Sequence, residues 1–192
     1  RTSESVLGKA IKGRRDEVII ATKLSGDHSL EHMTDPFHFL KRLQRLPEPE
    51  GSLIIQVPNA GSLQARVFGS RWSGLDCPRH LYNYTLLALF QLLGRAGYRV
   101  RSVRHFSLRD NAAAMVSSLF PFLDPMSNRV KQAGGNRRFR GAFSSVADAA
   151  YFLLFWMAQP LALGEAAVGR GGTLTVWATL EKRLRAAGQD SR

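Results

Sequence analysis

The sequence predicts an α/β fold, because apolar stretches at helical spacing alternate with short apolar or alternating runs, and one helix feeds a buried strand through a tight turn. That unit lies between Asp27 and Ser62. Asp35 can cap orphan amides, and Pro36 stands in the first helical turn, where its missing N–H costs nothing. Phe37, Leu40, Leu43 and Leu46 recur at helical spacing, and Pro47, Pro49 and Gly51 stop the helix. Ser52-Leu-Ile-Ile-Gln-Val57 then makes a short apolar strand ended by Pro58, which predicts a layered domain with a parallel sheet.

The following elements keep the alternation. Asn59-Ala-Gly-Ser62 is a turn at a strand's carboxyl end, where open α/β sheets form their ligand crevices. Leu63 to Phe68 adds a helical turn, and Gly69 to His80 is a loop holding Trp72, Asp76, Arg79 and His80. Thr85 caps a helix through Ala96, with Leu86, Leu87, Leu89, Phe90 and Leu93 on a broad apolar face and Gly97 as its stop. Tyr98 to Phe106 alternates with Arg99, Arg101 and Arg104 toward water, so it is a half-buried strand. Ala112 to Phe120 is a helix placed to act as a lid. Residues 128–141 are basic and contain glycine, which predicts a loop. Residues 149–164 form an apolar run broken by Gln159-Pro160, shorter than the ~20 residues that span a bilayer. It reads as a core helix packed on the sheet. The alternative is an interfacial helix, with Tyr151 and Trp156 at lipid headgroups and the neighbouring arginines on anionic lipid. Gly172 to Leu180 alternates and forms the last strand.

At 192 residues and 44% hydrophobic, the chain can build one sizeable core. Its net charge of +12 comes from 21 Arg and 6 Lys against 15 acids, which favours an anionic partner. Arg137-Arg138-Phe139-Arg140 interleaves an aromatic with cations, yet no nucleic-acid recognition motif accompanies it, so nucleic acid is not the expected partner. Cys77 alone excludes an internal disulfide, and the first residues lack an apolar secretory region; both point to the cytoplasm, with peripheral membrane contact as an addition.

His28-Ser-Leu-Glu31-His32-Met-Thr-Asp-Pro36, Glu50-Gly51 and Val57-Pro-Asn59 resemble the second half of class I S-adenosylmethionine-dependent methyltransferases, in which L-E-H-x-x-D-P follows the fourth strand. The similarity runs on through Phe68-Gly-Ser-Arg-Trp72, Leu75-Asp76, Pro78-Arg-His-Leu81, Gly97-Tyr98 and Gly171-Gly172, over residues 27–182. It implies a partial Rossmann-like methyltransferase fold: the C-terminal half of a seven-stranded sheet, with an antiparallel last strand and extra helices. It also implies methyl transfer from S-adenosylmethionine to a small-molecule acceptor. The family binds that cofactor through a Gly-rich turn after its first strand, and no G-x-G-x-G follows a strand here, so impaired cofactor binding is expected.

Residues 1–26 differ. Val6, Leu7, Ala10 and Ile11 lie on a short helix, and Glu17 to Thr22 forms a strand. S-E-x-x-L-G-x-A through G-R-R-D-x-V-x-I-A-T-K resembles aldo-keto reductases, where Lys23 falls on a catalytic lysine; no matching histidine motif follows, and an ordinary strand-end lysine is the expectation. The chain therefore reads as a join, with a seam between about Thr22 and Asp27, a methyltransferase segment at 27–182 and a polar tail at 183–192.

By resemblance, His28, Ser29 and Leu30 line the floor beside the cofactor, while Glu31 and His32 shape the pocket below. Asn59, Trp72, Arg79 and Tyr82 are the remaining acceptor-side candidates. Arg79 offers a fixed fork to phosphate or carboxylate. His80 is expected as a general base for transfer to oxygen, a role imidazole side chains commonly take, and its alternative is a structural loop histidine. His28-x-x-Glu31-His32 also fits a zinc motif in spacing. Asp35-Pro36 argues against one long helix through it, and no third ligand is identifiable, so no metal is expected.

Overall fold

A computed structural model of the chain describes residues 30–44, 52–125 and 142–181. The segment at 1–26, His28, Ser29, the basic loop at 128–141 and the tail at 183–192 lie outside the described residues. The element order is a 3-10 turn at Leu30–His32, α1 (Pro36–Leu43), β1 (Leu53–Pro58), α2 (Leu63–Phe68), two 3-10 turns at Gly69–Arg71 and Ser73–Leu75, α3 (Leu86–Arg95), β2 (Tyr98–Arg104), α4 (Asp110–Leu119), α5 (Ala142–Ala167) and β3 (Thr173–Leu180).

The caps form as local chemistry dictates. Asp35 accepts the His38 amide at 2.9 Å, Ser62 that of Ala65 at 3.0 Å and Thr85 that of Ala88 at 3.2 Å, each satisfying an orphan donor of α1, α2 or α3.

The strands order as β1-β3-β2, with β3 antiparallel to both neighbours. The antiparallel last strand is as expected. The parallel sheet is corrected: β1 and β2 run the same way, but β3 lies between them, so every pairing among the described strands is antiparallel. Leu174, Val176 and Ala178 take one face of β3, where Leu174 pairs Val57 and Val176 pairs Ile55. That face meets Leu40 of α1, Leu89 and Leu93 of α3 and the α3 C-cap Ala96, all buried. The apolar face of α3 is narrower than its sequence suggests, since Leu87 is 67% exposed and Phe90 38%. Between Val100 and Ser102 a register shift leaves Arg101 and Ser102 both toward water, interrupting the alternation of β2.

A second core joins α4 to α5 through Ala112, Val116, Tyr151, Ala158 and Ala162. Here another expectation is corrected. Pro160 does not break the apolar run; it sits inside one continuous helix of 26 residues. A proline removes one ladder bond and kinks a helix without always ending it. Val146–Ala167 is consequently long and apolar enough to cross a membrane by length and composition, and 22% of its most apolar 18-residue stretch is buried within the molecule.

Candidate functional site

The site begins with the turn at Leu30–His32. Leu30 anchors it by burial in the sheet core, and the Tyr84 hydroxyl reaches the Leu30 carbonyl at 3.5 Å. The Glu31 carbonyl accepts the amides of Leu81 and Tyr82 at 2.8 and 3.2 Å, and the Tyr84 carbonyl accepts the Ala60 amide at 2.9 Å. Residues 81–84 thus tie the turn to the carboxyl end of β1.

Asp76 sits at φ 38°, in the left-handed region, and starts a tight turn in which its carbonyl accepts the amides of Arg79 and His80 at 2.9 and 3.1 Å. That turn swings His80 back over Glu31-His32. The His32 and His80 ring centroids stand 4.8 Å apart, and the ligand atoms of Glu31, His32 and His80 all lie within 4.8 Å of one another.

The backbone fixes both tautomers. His32 Nδ1 lies 2.7 Å from the Arg79 carbonyl, and His80 Nδ1 lies 2.9 Å from the Gly74 carbonyl. A carbonyl only accepts, so each Nδ1 donates and each neutral ring presents its Nε2 lone pair. Asp76 Oδ2 stands 3.9 Å from His80 Nε2 and also pairs with Arg79 Nη2. Glu31 is 7% exposed, and its Oε2 is buried with no hydrogen-bond partner among the described residues.

Of the other residues singled out, Tyr82 is exposed, gives its hydroxyl to the Thr34 carbonyl at 3.1 Å and stacks on Tyr84. Arg79 is exposed with its guanidinium on Asp76. Asn59 is buried, accepting the Gly61 amide at 3.0 Å and donating to the Gly171 carbonyl at 2.9 Å. Trp72 is 2% exposed and sealed in the interior rather than walling an open cleft. A Cβ on Gly74 would come within 2.4 Å of the Trp72 ring, so glycine is required where that ring passes beneath the loop.

A buried polar knot underlies these loops, and sequence reading missed it. Glu165 Oε1 accepts from Gln64 Nε2 at 2.6 Å, the Gly172 amide at 3.0 Å and Asn111 Nδ2 at 3.3 Å. Trp72 Nε1 donates to Gln64 Oε1 at 3.4 Å. Burial pushes the Glu165 pKa up, although its three donors pull it down. The available signal was Glu165 itself, the one acid in the apolar stretch from Ala149 to Val168.

His80 Nε2 presents its lone pair on the loop that residues 81–84 tie to the carboxyl end of β1, and among the described residues no Gly-x-Gly joins a strand to a helix. Architecture and cluster together describe an α/β domain in which Glu31, His32 and His80 gather near a strand's end. Among known proteins, residues 25–103 are similar to the family model described as Methyltransferase domain. All three cluster residues fall inside that match. It begins at residue 25, so the aldo-keto reductase resemblance of the preceding segment rests on its motif alone. No curated protein matches the chain. Among solved structures, the [4+2]-cyclase SpnF is similar at 16% identity with a TM-score of 0.38, over 78% of this chain and 46% of that one. The chain thus spans less than half the length of that relative.

Proposed function

We propose that this chain provides the acceptor side of an S-adenosylmethionine-dependent methyl transfer to a small-molecule acceptor. The methyltransferase-domain match over residues 25–103 carries the reading. The cofactor, when bound, supplies an electrophilic methyl group. His80 Nε2 takes the proton of an acceptor hydroxyl, and Asp76 Oδ2, 3.9 Å away, balances the imidazolium that results. The bond from Nδ1 to the Gly74 carbonyl holds the ring in the base tautomer throughout. Arg79 positions an anionic group of the acceptor.

Isothermal titration of the folded chain with S-adenosylhomocysteine tests the cofactor side. A Kd below about 100 μM, roughly 5.5 kcal/mol, is expected if the pocket forms. No binding by a cooperatively melting chain would confine the family label to ancestry. His80→Ala, in this segment joined to a complete cofactor-binding half, should lower turnover without unfolding; unchanged turnover would remove His80 from the chemistry.

A second reading is favoured by the outward apolar face of α5: a non-catalytic basic module that docks on anionic membrane through residues 129–164. Vesicle co-sedimentation separates the two. Requirement for anionic lipid, lost when Arg137, Arg138 and Arg140 become serine, supports the module.

A further inference from the structure

We infer that Glu31, His32 and His80 form a binding site for one divalent first-row transition ion of the zinc class. The H-x-x-E-H motif at 28–32 has no identifiable third ligand in sequence, and the fold supplies one from 48 residues further along the chain.

Three features of these side chains favour a shared ion. Their ligand atoms already lie within 4.8 Å of one another. Zinc bonds of about 2.0–2.1 Å hold tetrahedral ligands about 3.3 Å apart, so the groups close by at most about 1.5 Å around the ion. Both imidazoles donate Nδ1–H to a backbone carbonyl, which is how proteins fix a ligating histidine so that Nε2 faces the metal. The third feature is Glu31 Oε2. A buried carboxylate oxygen without a donor is costly, and a cation satisfies it directly.

Two nitrogens and one carboxylate oxygen suit zinc and its neighbours better than magnesium or calcium, which prefer oxygen alone. Three protein ligands leave a fourth position for water or an acceptor oxygen. With the ion bound, His80 Nε2 is a ligand and no longer a free base, so the ion would take over activation of an acceptor hydroxyl. That last clause rests on the methyl-transfer reading. Ion binding itself does not, and it is measured without turnover.

The experiment uses tag-free, full-length chain stripped with chelator, titrated with Zn2+ and, separately, Co2+. One retained Zn2+ per chain and visible absorption from tetrahedral Co2+ are expected. Glu31→Gln and His80→Gln should each weaken binding at least about 10-fold, whereas His38→Ala, on an exposed ring paired with Asp35, should not. Histidine ring 15N spectra of the wild-type chain keep the test independent of whether variants fold: Zn2+ should shift the Nε2 signals of His32 and His80 and spare His38. Absence of saturable binding by a cooperatively melting wild-type chain overturns the inference. So does binding lost in His28→Ala and kept in His80→Gln, which would assign the ion to the local motif.

Discussion

Helices α3 and α5 are both strongly apolar, and they meet their surroundings in opposite ways. Leu89 and Leu93 of α3 are fully buried against the sheet. On α5 the inward contacts include the small Ala158 and Ala162 beside Tyr151, while Leu153, Trp156, Met157 and Leu161 are each more than 60% exposed. A helix whose stability came from its own domain would put large side chains inward, because burial rewards apolar area. α3 obeys that rule, and α5 reverses it over much of its length. The sheet core thus buries its large side chains, whereas the outer face of α5 leaves large apolar side chains exposed among the described residues.

The largest break in that comparison lies at the sheet. Leu93→Ala should cost about 2–5 kcal/mol in a denaturant melt, because a closed core relaxes poorly around a lost side chain. A cost below about 1 kcal/mol would mean that α3 is no better packed than α5.

Next comes the knot that joins the two regions. Glu165→Leu strands the Gln64 amide, the Gly172 amide and an Asn111 proton together, and should cost about 1–3 kcal/mol. Glu165→Gln keeps an acceptor oxygen and should cost less. The pH dependence has a definite sign. Burial raises the folded pKa above the ordinary 4.5, so the folded state binds that proton more tightly than the unfolded one. The resulting stability is present below 4.5 and lost as pH rises through the folded value. Melts of wild type and Glu165→Gln across that range should converge at low pH and part as pH rises; parallel curves would remove Glu165 from the titration.

Smaller again is the cap of α3. Thr85→Ala removes the acceptor for the Ala88 amide and should lower stability by about 1 kcal/mol. The same melt, with m unchanged, measures it.

These expectations differ in how they could be read from sequence. Asp35-Pro36, Thr85 and the run from Leu53 to Pro58 announce themselves because caps and strand ends are local chemistry. The placement of β3 between β1 and β2 is not local, and neither is the meeting of His80 with Glu31-His32. That meeting depends on a left-handed Asp76 and on amides from residues 81 and 82. The continuity of α5 is not legible locally either, because Pro160 signals a stop in sequence while the neighbouring turns hold the helix through one missing bond. Nothing about Gln64, in a short amphipathic turn, marks it as the buried partner of an acid 101 residues away.

The smallest expected effect on stability is the most informative about α5. Leu153→Ser, Met157→Ser and Leu161→Ser alter side chains 63%, 65% and 66% exposed, so each should shift stability by no more than about 0.5 kcal/mol. The same three changes remove much of the outward apolar face of a helix long enough to reach across a bilayer. In vesicle flotation with anionic lipid, the triple variant should lose partitioning that the wild type shows, with its melt nearly superimposable. If the triple variant instead melted far below the wild type, this face would already be buried by the chain itself in solution. The reversal between α3 and α5 would then reflect self-association, and sedimentation would show it as a concentration-dependent mass. If melt and flotation were both unchanged, lipid would not be what this face contacts.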